Sequence, residues 1–113
     1  TIGFNVESFH HKHLSLTVWD VGGQEKIRSL WRFYYQGANA VIFVVDAADR
    51  ERLSGANNSA EAELLRIMRE DSLRDVPVLI FSNKMDLPNA LSIDEVAASL
   101  GLCNLTNRSW YVQ

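Results

Sequence analysis

Residues 19–27 of the chain read Trp19-Asp20-Val21-Gly22-Gly23-Gln24-Glu25-Lys26-Ile27. The pattern predicts an apolar strand that ends in Asp20, then two glycines, then Gln24 and a helix. Such a loop suits a γ-phosphate, because Asp20 can hold a Mg²⁺-bound water, the Gly23 N–H can reach a phosphate oxygen and Gln24 can orient an attacking water. Paired glycines are also common in ordinary tight turns, so the stretch by itself leaves both interpretations open.

A second polar motif follows another short apolar run. Residues 78–81 lead directly into Ser82-Asn83-Lys84-Met85-Asp86. Asp86 can accept hydrogen bonds from N1–H and the 2-amino group of guanine, Asn83 can hold the base edge and the loop, and the Lys84 stem can cover the ring face. The plainer interpretation is a polar turn after a strand. Because Asp20 and Asp86 both follow predicted strands, their joint occurrence favours a ligand site at the carboxyl ends of an open α/β sheet.

The hydrophobic pattern predicts an N-terminal antiparallel hairpin. Leu14, Leu16 and Val18 alternate with polar residues, which is typical of a half-buried strand. An earlier strand over residues 4–6 and a turn near His11-Lys12 complete the hairpin. From Ile27 the spacing changes to the i, i+3, i+4, i+7 pattern of one helix face and continues to Tyr34.

The rest of the pattern predicts strands that alternate with helices. The continuous apolar run 40–45 is typical of a strand buried on both faces of a parallel sheet, and further strands are predicted at 76–81 and 109–112. Capping boxes are predicted at residues 58–61 and 92–95, and Gly101 is predicted to end the second of these helices. The fold class is therefore α/β, with a parallel sheet after an antiparallel hairpin.

Composition limits the classes of protein. A length of 113 residues allows one small domain, and a hydrophobic content of 47% is ample for a core. A net charge of −3 with mixed signs argues against nucleic acid as the main partner. The single Cys103 excludes an internal disulfide and fits a reducing compartment. No apolar run approaches the ~18 residues of a transmembrane helix.

Four segments in combination closely resemble the Arf/Arf-like (ADP-ribosylation factor) family of small GTPases, over essentially the whole chain. They are Thr1–Glu7, Trp19–Gln24, Asn83–Pro88 and Trp110–Gln113. The resemblance implies a P-loop NTPase fold of the Ras-like G-domain type. Its sheet would be mostly parallel, with an N-terminal antiparallel interswitch hairpin, and the protein would be a GTPase that alternates between GTP- and GDP-bound states.

The resemblance also implies a role for each motif residue. Thr1 would ligate Mg²⁺ and sense the γ-phosphate, and Asp20 would hold the Mg²⁺ through water. Gly23 would sense the γ-phosphate, and Gln24 would orient the hydrolytic water. The guanine-specificity residues would be Asn83, Lys84 and Asp86, and the aromatic triad that effectors read would be Phe4, Trp19 and Tyr34.

One family motif is absent from the sequence. No G-x-x-x-x-G-K-[ST] occurs in the 113 residues, although that P-loop supplies the backbone cradle for the phosphates, a lysine and a Mg²⁺ ligand. The family carries it upstream of the position of Thr1, and continues beyond the position of Gln113 with a guanine-contacting loop and a final helix. We therefore expect residues 1–113 to be a single partial GTPase domain, truncated at both ends.

The expected partners are those of the family: guanine nucleotide, effectors, an exchange factor and a GTPase-activating protein. The family works in vesicle traffic, as cytoplasmic proteins attached peripherally to Golgi or other endomembranes through an N-terminal segment that this sequence lacks. A non-catalytic interaction module that keeps only the hairpin and its aromatic surface is the alternative. An ATP-using P-loop enzyme fits less well, because the Asp86 carboxylate suits the donors of guanine.

Overall fold

The computed structural model describes residues 4–105 and 108–113. The chain forms two compact units, Thr1–Gly37 and Ala38–Gln113, and each unit contains one sheet. The predicted single domain over residues 1–113 stays a prediction. No helix among the described residues is long and apolar enough to cross a membrane.

The first unit contains the predicted hairpin. Strands β1 (Phe4–His11) and β2 (Leu14–Val21) pair antiparallel, with Phe4 opposite Val21 and His11 opposite Leu14. Lys12 makes the turn at a φ of 55°. The expectation of a half-buried face is wrong, because Leu14 is 51% exposed and Leu16 46%. Backbone pairing holds this part of the ribbon, since the aromatic packing in the unit lies at its other end, around Phe4.

A 3₁₀ helix, Glu25–Tyr34, follows the hairpin. The sequence predicts a helix here, but the apolar spacing suggested the α type. The amide of Ile27 instead bonds to the carbonyl of Gln24, three residues back, and Tyr35 bonds to Arg32 in the same way. None of its residues is buried, so tertiary packing contributes little to selecting the α form.

The second unit contains the predicted parallel sheet. Strands β3 (Val41–Asp46), β4 (Val78–Asn83) and β5 (Trp110–Val112) lie in the order β3-β4-β5 and all pair parallel. Helices α1 (Arg50–Leu53) and α2 (Ala60–Met68) lie between β3 and β4 in the chain, and α3 (Ile93–Ser99) lies between β4 and β5. Two short 3₁₀ helices, Asp71–Leu73 and Leu102–Asn104, complete the unit. The predicted α/β alternation is confirmed.

Among the described residues of the second unit, the buried side chains of β3 and β4 lie on one face of the sheet. Phe43, Val45 and Ile80 are buried together with residues of α2 and α3, including Leu64 and Val96. The prediction that residues 40–45 are buried on both sides is wrong. Alternate side chains of a strand point to opposite faces, so Ile42 and Val44 lie on the face away from Phe43 and Val45. On that face Ile42 is 52% and Val44 59% exposed.

Helix ends follow the predicted signals in two cases out of three. Ser92 caps α3 in a full capping box with Glu95, and Gly101 follows it at a φ of 69°. The capping box predicted at residues 58–61 is wrong. The N-cap of α2 is the buried Ser59, one residue later, and its hydroxyl accepts from the Ala62 amide at 3.2 Å.

Candidate functional site

The first group of predicted site residues lies where β2 ends, in the first compact unit. Asp20 is opposite Asn5 in the hairpin, and Gly22, Gly23 and Gln24 connect β2 to the 3₁₀ helix. We call residues 20–24 the switch loop. Gly22 is buried, whereas Gly23 and Gln24 are exposed. Apart from the chain neighbours of Gly23, no described residue has an atom within 4 Å of the position that a Cβ on Gly23 would take, which leaves space beside this backbone for a ligand oxygen.

Two side chains of the following helix hold the switch loop. The Trp31 indole Nε1–H donates to the Gly22 carbonyl at 2.8 Å, and the Arg28 Nε–H donates to the Gly23 carbonyl at 2.8 Å. These contacts span only nine and five residues of chain. Both glycine carbonyls are therefore held toward the helix. The sequence reasoning did not identify Arg28 or Trp31 as anchors of the switch loop. The available signal was that a basic and an aromatic residue follow the two glycines within one helix.

The aromatic triad comes together in the same unit. The ring centroids of Phe4, Trp19 and Tyr34 are 5.9 Å apart in all three pairs, with tilted planes. This spacing lies within the range at which aromatic pairs attract one another. Phe4 is 52% and Trp19 54% exposed, so the cluster presents an apolar surface. The structure thus places the three predicted effector residues side by side.

The second group of site residues lies where β4 ends, in the second compact unit. Residues 82–86 form what we call the guanine loop. Asn83, Lys84 and Asp86 are exposed, whereas Ser82 is buried and its hydroxyl donates to the Met85 sulfur at 3.1 Å. Lys84 adopts a left-handed backbone with a φ of 61°, which costs a non-glycine residue energy. The Leu87 amide closes the turn on the Lys84 carbonyl at 3.1 Å.

A carboxylate from the neighbouring strand binds this loop. Asp46 ends β3 directly opposite Asn83, and its Oδ2 lies 2.9 Å from the Lys84 ammonium. The hydrogen bond from Lys84 lowers the pKa of Asp46 below its ordinary value, with help from the Ala48 amide. The same bond raises the pKa of Lys84. The sequence reasoning missed Asp46, although it directly follows the apolar run 40–45.

The predicted Mg²⁺ site involves Thr1 and Asp20. Thr1, the predicted Mg²⁺ ligand, lies outside the described residues. Asp20 offers the carboxylate oxygen that Mg²⁺ prefers. Among residues 4–105 and 108–113, no group of three or more His, Cys, Asp or Glu side chains is placed to hold a metal ion. The switch loop and the guanine loop lie in separate compact units.

Comparisons with known proteins agree with the motifs. A model of the ADP-ribosylation factor family matches residues 1–113. A similar solved structure is that of the Arl6 (BBS3) small GTPase from Trypanosoma brucei, with bound nucleotide analogue GppNp. It is 34% identical to this chain with a TM-score of 0.89, and the match covers 99% of this chain and 67% of that one. With its α/β fold, its hairpin and its parallel sheet, the chain belongs to the ADP-ribosylation factor family of small GTPases.

Proposed function

We propose that this protein binds guanine nucleotide through the guanine loop and acts as a GTP/GDP switch. The observation that carries the proposal is the loop itself, in which Asn83, Lys84 and Asp86 are exposed where β4 ends and Lys84 is held by Asp46. The Asp86 carboxylate is an acceptor for N1–H and the 2-amino group, which guanine has and adenine lacks. Family membership supports a GTP-binding switch independently.

The proposed chemistry belongs to the switch loop. Gln24 orients the attacking water, and the Gly23 N–H meets the γ-phosphate in the open space beside it. Thr1 would ligate Mg²⁺ and Asp20 would hold it through water, and the ion would neutralise charge on the phosphate oxygens. Loss of the γ-phosphate removes these contacts, and the switch loop then changes conformation.

The proposed readout is the aromatic cluster of Phe4, Trp19 and Tyr34. Large exposed aromatic side chains are frequent anchors of protein interfaces, and the family uses them for effectors. An exchange factor and a GTPase-activating protein would set the nucleotide state. We also propose a role in vesicle traffic on an endomembrane, and this proposal rests only on the resemblance to the family.

A second function, that of a non-catalytic interaction module, is favoured by one observation. The aromatic cluster is assembled within the first unit and uses no residue of the guanine loop. Such a module would bind effector-like partners equally well with or without nucleotide.

The test is an NMR titration of the 113-residue chain with GDP, XDP and ADP, which also measures millimolar affinities. We expect GDP to shift the amide signals of the guanine loop more than ADP does. Asp86→Asn should weaken GDP by about 2–4 kcal/mol and favour XDP, because xanthine carries a carbonyl in place of the 2-amino group.

The matched control is Asp94→Asn, which removes an exposed carboxylate of α3. It should leave the order of GDP, XDP and ADP unchanged. Equal GDP affinity in the unsubstituted chain and the Asp86→Asn variant would remove the guanine assignment. Absence of any nucleotide-induced shift would favour the interaction module.

A further inference from the structure

The carboxylate of Asp46 lies at the end of β3 and faces the guanine loop of the neighbouring strand. We propose that Asp46 is a positioning residue for nucleotide binding, which fixes the Lys84 ammonium so that the Lys84 stem forms a preset wall for the purine ring. The inference rests on the proposed function of the guanine loop. It adds a residue outside the Asn-Lys-x-Asp motif to that function.

Asp46 is itself held in place on both oxygens. Its Oδ1 accepts from the Ala48 amide at 2.9 Å while its Oδ2 meets Lys84 at 2.9 Å. The backbone around it is tied to β4, because the Ala47 amide donates to the Asn83 carbonyl at 3.1 Å. Because these bonds hold the Asp46 side chain in one rotamer, its Oδ2 is already oriented toward Lys84.

The contact with Asp46 reduces the conformational freedom of the Lys84 side chain. Lysine has a long flexible stem, and ordering it costs conformational entropy whenever a ligand must pack against it. The side chain of Lys84 is 55% exposed, so packing alone does not fix it. Because Asp46 binds the ammonium before a ligand arrives, part of that ordering cost is met in the free protein, and ligand affinity rises.

The ion-pair partners of Asp46 and Asp49, the next acidic residue along the chain, are different. Asp49 pairs with Arg52 at 3.3 Å, within its own turn. The pKa of Asp46 is lowered and that of Lys84 raised, each chiefly by their mutual hydrogen bond. Both groups are therefore charged at neutral pH, as the positioning role requires. Asp49→Asn is accordingly a matched control that removes a nearby charge and leaves the Lys84 contact intact.

The experiment titrates the 113-residue chain and its variants with GDP, IDP and ADP by NMR. Asp46→Asn should weaken GDP and IDP by the same factor, about three- to ten-fold, because it acts on the ring face and not on the 2-amino group. Asp49→Asn should leave both affinities unchanged. In a Lys84→Met background, Asp46→Asn should have no further effect, since the ammonium that it positions is gone.

A second measurement needs no nucleotide. The Lys84 ammonium, followed by ¹³C NMR after reductive methylation, should titrate at lower pH in Asp46→Asn than in the unsubstituted chain, and Asp46→Glu, which keeps the charge, should restore part of the difference. Unchanged Lys84 titration, or equal GDP affinity with and without Asp46→Asn, would overturn the inference. If the unsubstituted chain binds no GDP, the proposed function fails, and the Lys84 titration alone then decides whether Asp46 positions this side chain.

Discussion

The switch loop and the guanine loop both lie at the end of a strand, but the side chains that bind them differ in their distance along the chain. Anchors of the switch loop come from the next helix, five and nine residues along the chain, and bind glycine carbonyls. The ammonium of the guanine loop is bound by a carboxylate 38 residues away, on a neighbouring parallel strand. A loop that is anchored by side chains of the adjacent helix can move together with that helix, whereas a loop that is bound across a sheet stays fixed. The first suits a part that changes with the γ-phosphate, and the second suits constant recognition of a base.

The strands that lead into the two loops also differ in burial. All eight residues of β1 are exposed, whereas buried and less buried residues alternate along β3 and β4. The guanine loop therefore extends from a strand with a packed face, and the switch loop extends from a ribbon held mainly by backbone pairing. Stability is rarely uniform across a protein, and moving elements come from its less stable parts.

The largest expected effect concerns chemistry in the switch loop. Gln24→Leu should slow hydrolysis stimulated by an activating protein by about 10²-fold or more, because leucine keeps the size and removes the water-orienting amide. The assay is single-turnover hydrolysis in a graft of residues 1–113 into the Trypanosoma brucei relative. GDP affinity should stay unchanged. If Gln24→Leu lowered GDP affinity and left hydrolysis unchanged, the two loops would not have the separate functions proposed here.

The next effect compares the same substitution in the two regions. Leu64→Ala removes a side chain of α2 that is 2% exposed, and should destabilise the second unit by about 2–5 kcal/mol. Leu14→Ala, at a position that is 51% exposed, should cost less than about 1 kcal/mol. Hydrogen exchange in β3 and β4 measures the cost of Leu64→Ala, and hydrogen exchange in β1 and β2 measures the cost of Leu14→Ala. Equal costs would contradict the difference in packing.

A smaller effect isolates one anchor of the switch loop. Trp31→Phe removes the indole N–H that binds the Gly22 carbonyl, and should cost about 0.5–1.5 kcal/mol. Amide exchange in residues 22–24 should quicken, while exchange in the guanine loop stays the same. The same substitution at Trp110, in β5, is the control. Unchanged exchange in residues 22–24 would show that Trp31 does not hold the loop.

The smallest expected effect is a pH dependence confined to the guanine loop. Because the Lys84 contact lowers the pKa of Asp46 below 3.8, Asp46 contributes stability above that pH, and the contribution is lost as the pH falls through the lowered value. Acid titration of guanine-loop amide exchange should therefore differ between the unsubstituted chain and Asp46→Asn only above this range. Parallel curves for the two proteins would contradict the assignment.

Local sequence signals predicted most of the elements, and the failures have identifiable causes. The capping box at Ser92 is confirmed because it depends on residues only three apart. The box predicted at residues 58–61 is wrong because Asn58 and Ser59 are both good caps, and the N-cap of α2 is Ser59. The helix predicted after Gln24 is confirmed, but the spacing did not identify it as a 3₁₀ helix, since residues three apart lie close together in α and 3₁₀ helices alike. The aromatic triad could be named only from the family resemblance, because its members are far apart in sequence.

The sequence by itself determined the two polar motifs, the strands that precede them and the family, since each depends on neighbouring residues and on a side-chain period of two. Only the tertiary structure decided which face of β3 is buried, that Lys84 takes a left-handed backbone and that Asp46 is its partner. These features depend on residues brought together by strand pairing. The register that puts Asp46 opposite Asn83 joins β3 to β4 across 37 residues of chain, and no local pattern encodes such a distance.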